Sequence, residues 1–200
     1  MKLYYSPASP FARKCVIVAH ELGLGERLEV LNETVHPIHR NQKVISANPL
    51  GQVPTLLTSE GQSIHDSRVI CEYLNALAQG ALIPSDHTRW QVLTEQSMLD
   101  GLMAAALLCR YEETARPETM RWSDWIQGQM QKVADTLAYF ETSIAQRGQH
   151  VDVATIALGC ALGYLDFRFS NYDWRTSYPE LSSWYATFMT RPSMVVSAPV

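Results

Sequence analysis

The sequence has no cluster of lysine and arginine, no long hydrophobic run and few charges of either sign. Its 200 residues hold 16 lysines and arginines against 20 aspartates and glutamates, a net of −4, and only 18% are charged. A mildly acidic chain of this kind lacks the electrostatic footprint that phosphate-backbone binding requires, which excludes nucleic acid as an expected partner. The longest charge-free stretch, residues 44–59, contains Pro49 and Pro54, and the most apolar one, residues 153–165, is shorter than the ~20 residues of a bilayer-crossing helix. No membrane partner is expected. Arg13 and Lys14 stand where an export signal would have its apolar stretch, so a cytoplasmic location is expected. Cysteine is also sparse. Cys15, Cys71, Cys109 and Cys160 lie far apart, each with an apolar neighbour, which argues against a disulfide framework or a structural zinc and for reduced thiols used as small hydrophobes. What the chain does have is apolar substance: 46% hydrophobic residues can fill a large core, as one domain or as two that share an interface.

Periodicity places a seam. Lys2 to Tyr5 reads as a strand, Ser6 to Pro10 as a turn, and Cys15, Val18, Ala19 and Leu22 as one face of a helix that Gly23 stops. Leu28 to Asn32 reads as a second strand. Thr55 to Thr58 and Gln62 to Ile64 form a hairpin about Ser59-Glu60-Gly61, and Asp66 opens a helix with apolar positions at Val69, Ile70, Tyr73, Leu74 and Leu77. The order is βαβ, an open connector with at most a short helix near Lys43 to Ala47, then ββα. After Gln79-Gly80 only helical periods remain. A helix from about Asp86 to Glu113 shows Trp90, Leu93, Ser97, Gly101, Ala104, Leu108 and Tyr111 along one stripe, where small residues would permit close helix contact. Ile126, Met130, Val133, Leu137, Phe140 and Ile144 share one face of a long helix, and the helix from Asp152 is apolar nearly all round, as a buried centre would be. A final helix is expected over Leu181 to Thr190. The expected organisation is an α/β domain at residues 1–77, a linker at 78–85 and an all-helical domain at 86–200.

Three segments can carry chemistry, and each also has a purely structural account. Ser9-Pro10 suits a helix start, with the serine as cap; the same hydroxyl at a positive helix end could donate to a bound thiolate and lower its pKa from about 8.5. Val53-Pro54 before a strand invites a cis peptide and leaves the Val53 backbone open to an extended peptide, or it is an ordinary edge proline. Asp66-Ser67 caps a helix, or its carboxylate and hydroxyl with the neighbouring N–H receive the ammonium and carboxylate of an α-amino acid head. His36 and His39 have a His-x-x-His spacing, but Pro37 lies between them and no further ligand cluster is near, so a solvated loop is expected and no metal.

In this order, Ser-Pro-Phe-Ala-Arg at 9–13, Asn-Pro-Leu-Gly-Gln-Val-Pro at 48–54 and Asp-Ser at 66–67 resemble the glutathione transferase superfamily. Tyr178-Pro179-Glu180-Leu181, Trp184-Tyr185 and Arg191-Pro192-Ser193 resemble its C-terminal pattern, and residues 152–155 and 163–168 are most like its small bacterial, YibF-like members. The resemblance covers the whole chain. It implies a thioredoxin-like N-terminal domain, a helical-bundle C-terminal domain, glutathione as co-substrate and a homodimer. It also implies roles: Ser9, with Ser6 as rival, activates the glutathione thiol; Val53 and Pro54 hold its backbone; Asp66 and Ser67 hold its γ-glutamyl end. His39, Arg40 or Lys43 would meet its glycine carboxylate. Phe11, Leu107 and Tyr111 would line an apolar pocket for a small electrophilic acceptor. Two departures stand out. The helix-start box of the second domain is inverted to Asp152-x-x-Thr155, which would cost its reciprocal bond. Serine and not cysteine at position 9 disfavours a glutathione-dependent thiol-disulfide reductase. A second alternative is a non-catalytic binding or regulatory protein that keeps the fold, as the stringent starvation proteins do.

Overall fold

A computed structural model describes residues 1–199. Strand β1 (Lys2–Tyr5) leads through a turn to helix α1 (Pro10–Glu21), then β2 (Glu29–Asn32), α2 (Gln42–Ala47), β3 (Thr55–Leu57), β4 (Ser63–Ile64) and α3 (Ser67–Leu77). The four strands form one mixed sheet in the order β2-β1-β3-β4. β1 is parallel to β2 because α1 forms the crossover between them, and the other pairings are antiparallel. Leu3 pairs with Leu56, and Leu56 with Ile64, so one face of the sheet presents a row of buried aliphatics. The connector contains the short helix α2, which Asn41 caps by accepting from the Lys43 N–H at 2.9 Å. This is the thioredoxin-like arrangement.

The rest is helical: α4 (Arg89–Thr114), α5 (Ser123–Glu141), α6 (Ile144–Arg147), α7 (Val153–Arg168), α8 (Trp174–Ser177), α9 (Pro179–Phe188) and α10 (Pro192–Val196). The long helix expected through Ile144 ends at Glu141, yet Ile144 stays fully buried at the head of α6. The expected last helix is α9, and α10 follows it. Helix α4 is 26 residues long and contains an 18-residue window of mean hydropathy 1.2, enough by length and composition for a membrane span. It packs instead as a core helix against α5 and α7, with Glu95, Gln96 and Glu112 on its buried face.

The stripe expected to be the packing face of α4 is the wrong one. Val92, Leu99, Leu102, Met103, Ala106 and Cys109 are buried, whereas Trp90 and Leu108 are exposed and Ser97, Gly101 and Ala104 border a cleft. Two adjacent stripes are apolar or small, and periodicity alone does not tell which one meets α7. At the start of α7 the inverted box is intact: Asp152 Oδ1 accepts from the Thr155 N–H at 2.7 Å, and the Asp152 N–H donates to Thr155 Oγ1 at 2.9 Å. A threonine hydroxyl thus supplies the reciprocal bond that the reversed order was expected to lose.

Helix α1 lies between the sheet and the helical half and is buried almost all round. Arg13 and Lys14, charged neighbours in sequence, are both buried: Lys14 Nζ bonds both carboxylate oxygens of Asp100 on α4, and Arg13 Nη2 donates to the Met194 carbonyl at 3.1 Å. Close approach needs Gly163 on α7, where a Cβ would collide with the Arg13 guanidinium and the Tyr185 hydroxyl.

Candidate active site

A cleft of about 870 Å³ opens between the loops of the sheet half and the faces of α4 and α7. From the first half it receives Ser6, Ser9 and Phe11, the Val53-Pro54 loop, and Asp66 and Ser67. The three separate sequence segments therefore meet on one cavity.

Ser9 is the N-cap of α1, and its Oγ accepts from the Ala12 N–H at 3.2 Å. A hydroxyl that accepts one such bond still has its own proton to donate, so cap and thiolate donor are compatible roles. Ser6 lines the same cavity and holds the turn, its carbonyl accepting from the Ser9 N–H at 2.9 Å. The Val53–Pro54 peptide is cis. Because β3 begins only at Thr55, the Val53 backbone lies outside the ladder. The loop is anchored by buried Asn48, which donates to the Gln52 carbonyl and to Thr55 Oγ1 and accepts from the Leu50 N–H.

Asp66 caps α3 by accepting from the Arg68 N–H at 3.0 Å, and its carboxylate pairs with the Arg68 guanidinium at 2.9 Å. Against the burial that raises it, the Arg68 side-chain and backbone hydrogen bonds hold the Asp66 carboxyl below its ordinary value. An ammonium reaching Asp66 would share it with Arg68. Ser67, next to it, is buried at the cleft wall, and the peptide before Asp66 is also cis.

Of the candidates for a glycine carboxylate, His39 is exposed and lies outside the cleft lining, and Lys43 pairs with Glu33 at 3.4 Å. Arg40 lines the cleft and donates to the Pro49 carbonyl at 2.6 Å, and His36, which sequence reasoning placed only in a solvated loop, lines it too. The two histidine rings stack 5.0 Å apart, and His36 Nδ1 accepts from the backbone N–H of Ile38 and of His39.

Phe11, Leu107 and Tyr111 all line the cleft. Its far wall is nonetheless not the apolar surface expected. Arg110, Tyr164 and Arg168 stand there with Tyr111, and none of the three was assigned to the site from sequence. Burial raises the phenol of Tyr111 and pushes that of Tyr164 up to about 12, with Arg168 and Arg110 pulling the latter down. Both phenols are therefore neutral donors at physiological pH. The available signal was the repeat Arg110-Tyr111 on one helix and Tyr164/Arg168, four residues apart, on another; it is legible only once the two helices are known to face each other.

A thioredoxin-like sheet beside a helical bundle, with a capping serine, a cis-proline loop and an Asp-Ser helix start around one cleft, is the arrangement that the resemblance to glutathione transferases implied. Comparison with known proteins agrees. The glutathione S-transferase N-terminal domain model matches residues 8–77 and the C-terminal domain model residues 123–187. The chain is 33% identical to an uncharacterized GST-like protein, YibF, of Escherichia coli, over all of this chain and 98% of that protein. A glutathione transferase family member from Pseudomonas fluorescens, crystallised with bound glutathione, superposes with a TM-score of 0.95 at 39% identity, covering 100% of this chain and 98% of that one. A second structure from that organism, with bound S-(propanoic acid)-glutathione, gives 0.92 at 39% identity and covers 100% and 99%. The chain belongs to the glutathione transferase family.

Proposed function

We propose that this protein is a glutathione transferase that binds glutathione in the cleft and directs its thiolate at a small electrophile. The observation that carries the proposal is the convergence of Ser9, Val53-Pro54 and Asp66-Ser67 on one cavity. In this reading the γ-glutamyl head lies at Asp66 and Ser67 and the cysteinyl backbone pairs with Val53. The sulfur lies at the start of α1, where the Ser9 hydroxyl and the positive helix end favour the thiolate. Arg40 or His36 serves the glycine carboxylate. Relatives crystallised with glutathione, or with a glutathione thioether, support a site of this kind. A thiol-disulfide reductase is disfavoured because all four cysteines are buried, and burial raises the thiols of Cys15, Cys109 and Cys160.

The second reading is a non-catalytic binder, in which Ser9 serves only as the cap of α1. Retention on immobilised glutathione, with Ser67→Ala as the weakened control, tests binding: a protein that passes through unretained is not a glutathione enzyme. A bound-thiol pKa below that of free glutathione then favours the transferase over the binder.

A homodimer is part of the same proposal, supported by Val69 and Leu77 on α3 and Trp90 on α4, which are exposed. Light scattering distinguishes one chain from two. Unpaired buried cysteines fit the cytoplasmic location that goes with it.

A further inference from the structure

We propose that the acceptor carries a carboxylate, held at the far wall of the cleft by Arg110, Arg168, Tyr111 and Tyr164. This rests on the glutathione reading and names the substrate class of the same site.

Four donors converge there from two helices: Arg110 and Tyr111 from the C-terminal part of α4, Tyr164 and Arg168 from that of α7. Tyr164 is buried and lines the same cleft as both arginines, whose charges lower its phenol against the burial that raises it. Among the described residues neither arginine is in an ion pair within 4.0 Å.

Two nearby carboxylates are engaged elsewhere: Glu112 holds Arg116 and the Trp122 N–H, and Asp166 holds Arg175 and the Trp174 indole N–H. Glu113, three residues from Arg110, is exposed and forms no ion pair among the described residues. The Arg168 guanidinium carbon lies 4.0 Å over the Phe167 ring, a cation–π contact that does not neutralise its charge. Two unneutralised arginines beside two neutral phenols repel each other until an anion enters, and a carboxylate accepts from both kinds of donor.

Space for the acceptor comes from the small-residue stripe of α4. Gly101 and Ala104 border the cleft between this wall and the Ser9 end, and a Cβ at Gly101 would meet nothing within 4 Å. The chemistry then balances simply. The thiol proton leaves to water and the sulfur lone pair forms the S–C bond at the electrophilic carbon. A leaving group there departs with its bonding pair, or the π pair of a conjugated double bond moves to the neighbouring carbon, which takes a proton from water.

The test is binding of two thioethers of nearly equal size, S-(2-carboxyethyl)glutathione and S-propylglutathione, with glutathione itself alongside, measured by calorimetry. The carboxylated thioether is expected to bind about tenfold more tightly than the propyl one, and the ratio to fall toward one in Arg110→Gln/Arg168→Gln and to drop partway in Tyr164→Phe. Arg27→Gln/Arg121→Gln removes the same two charges at exposed positions outside the cleft and keeps the ratio, which controls for net charge. Equal affinities in the unmutated protein overturn the inference, as does a ratio that survives the double substitution. Glutathione binding without discrimination between the thioethers removes this inference alone, whereas failure to bind glutathione removes the glutathione reading with it.

Discussion

Ser9 performs two tasks with one oxygen, and substitution separates them. Its lone pair accepts from the Ala12 N–H, and its proton is available to the cleft. Ser9→Ala should lower stability by about 1 kcal/mol in urea unfolding, as loss of a cap does. In the proposed enzyme it should also raise the pKa of bound glutathione's thiol, followed by thiolate absorbance; a thiol pKa that stays put leaves Ser9 only its cap. This residue was readable in the sequence because a helix start has a local signature, Ser-Pro before an apolar period. Arg110, Tyr164 and Arg168 were not readable, because an arginine or tyrosine on a helix has no local mark that tells an open cleft from a solvated face. His39 shows the same limit in reverse: of the segment read from sequence, His36 and Arg40 line the cleft and His39 does not, a choice that no local pattern marks.

Elements were legible where their ends carry chemistry. Ser9, Asp66 and Asp152 each accept from a backbone N–H two or three residues on, and each starts a helix. Thr155→Val should cost about 1 kcal/mol, because it leaves the buried Asp152 N–H without its acceptor while keeping the side-chain shape. An unfolding midpoint equal to that of the unmutated protein would show the inverted box to be idle. Faces were less legible than ends. On α4 the choice between two neighbouring stripes was decided by contact with α5 and α7, and the small residues serve the cavity and not helix contact. Helix α10 went unseen because five residues hold too little period to register.

At the scale of the molecule, buried ion pairs join segments far apart in sequence. Lys14→Met should destabilise by roughly 3–5 kcal/mol, since it leaves the Asp100 carboxylate unpaired in a largely buried place, and Lys14→Met/Asp100→Asn should recover part of that loss. Equal loss in the single and double variants would mean that the pair is not what is felt. The end of α1 is clasped to α10 through Glu21, which accepts from Arg191 at 2.8 Å and from Ser193. Hydrogen bonds from Arg191, opposed by burial and aided by Ser193, hold the Glu21 carboxyl below its ordinary 4.5. A depressed carboxyl stabilises the fold above the unfolded value and loses that contribution as pH falls through the folded one. Stability should therefore drop below about pH 4.5, and less steeply in Glu21→Gln, which lacks the contribution already at neutral pH. Parallel pH curves for the two proteins would refute this. By itself the sequence determined the order of the longer elements, the caps at Ser9, Asp66 and Asp152, the Val-Pro loop and the family, because these depend on neighbours within a few residues and on short motifs. Only the tertiary structure decided that Arg13 and Lys14 are buried, which stripe of α4 faces the cleft, and that four donors from two helices share its far wall. These depend on residues some 50 to 180 positions apart, whose meeting is set by packing and leaves no local trace.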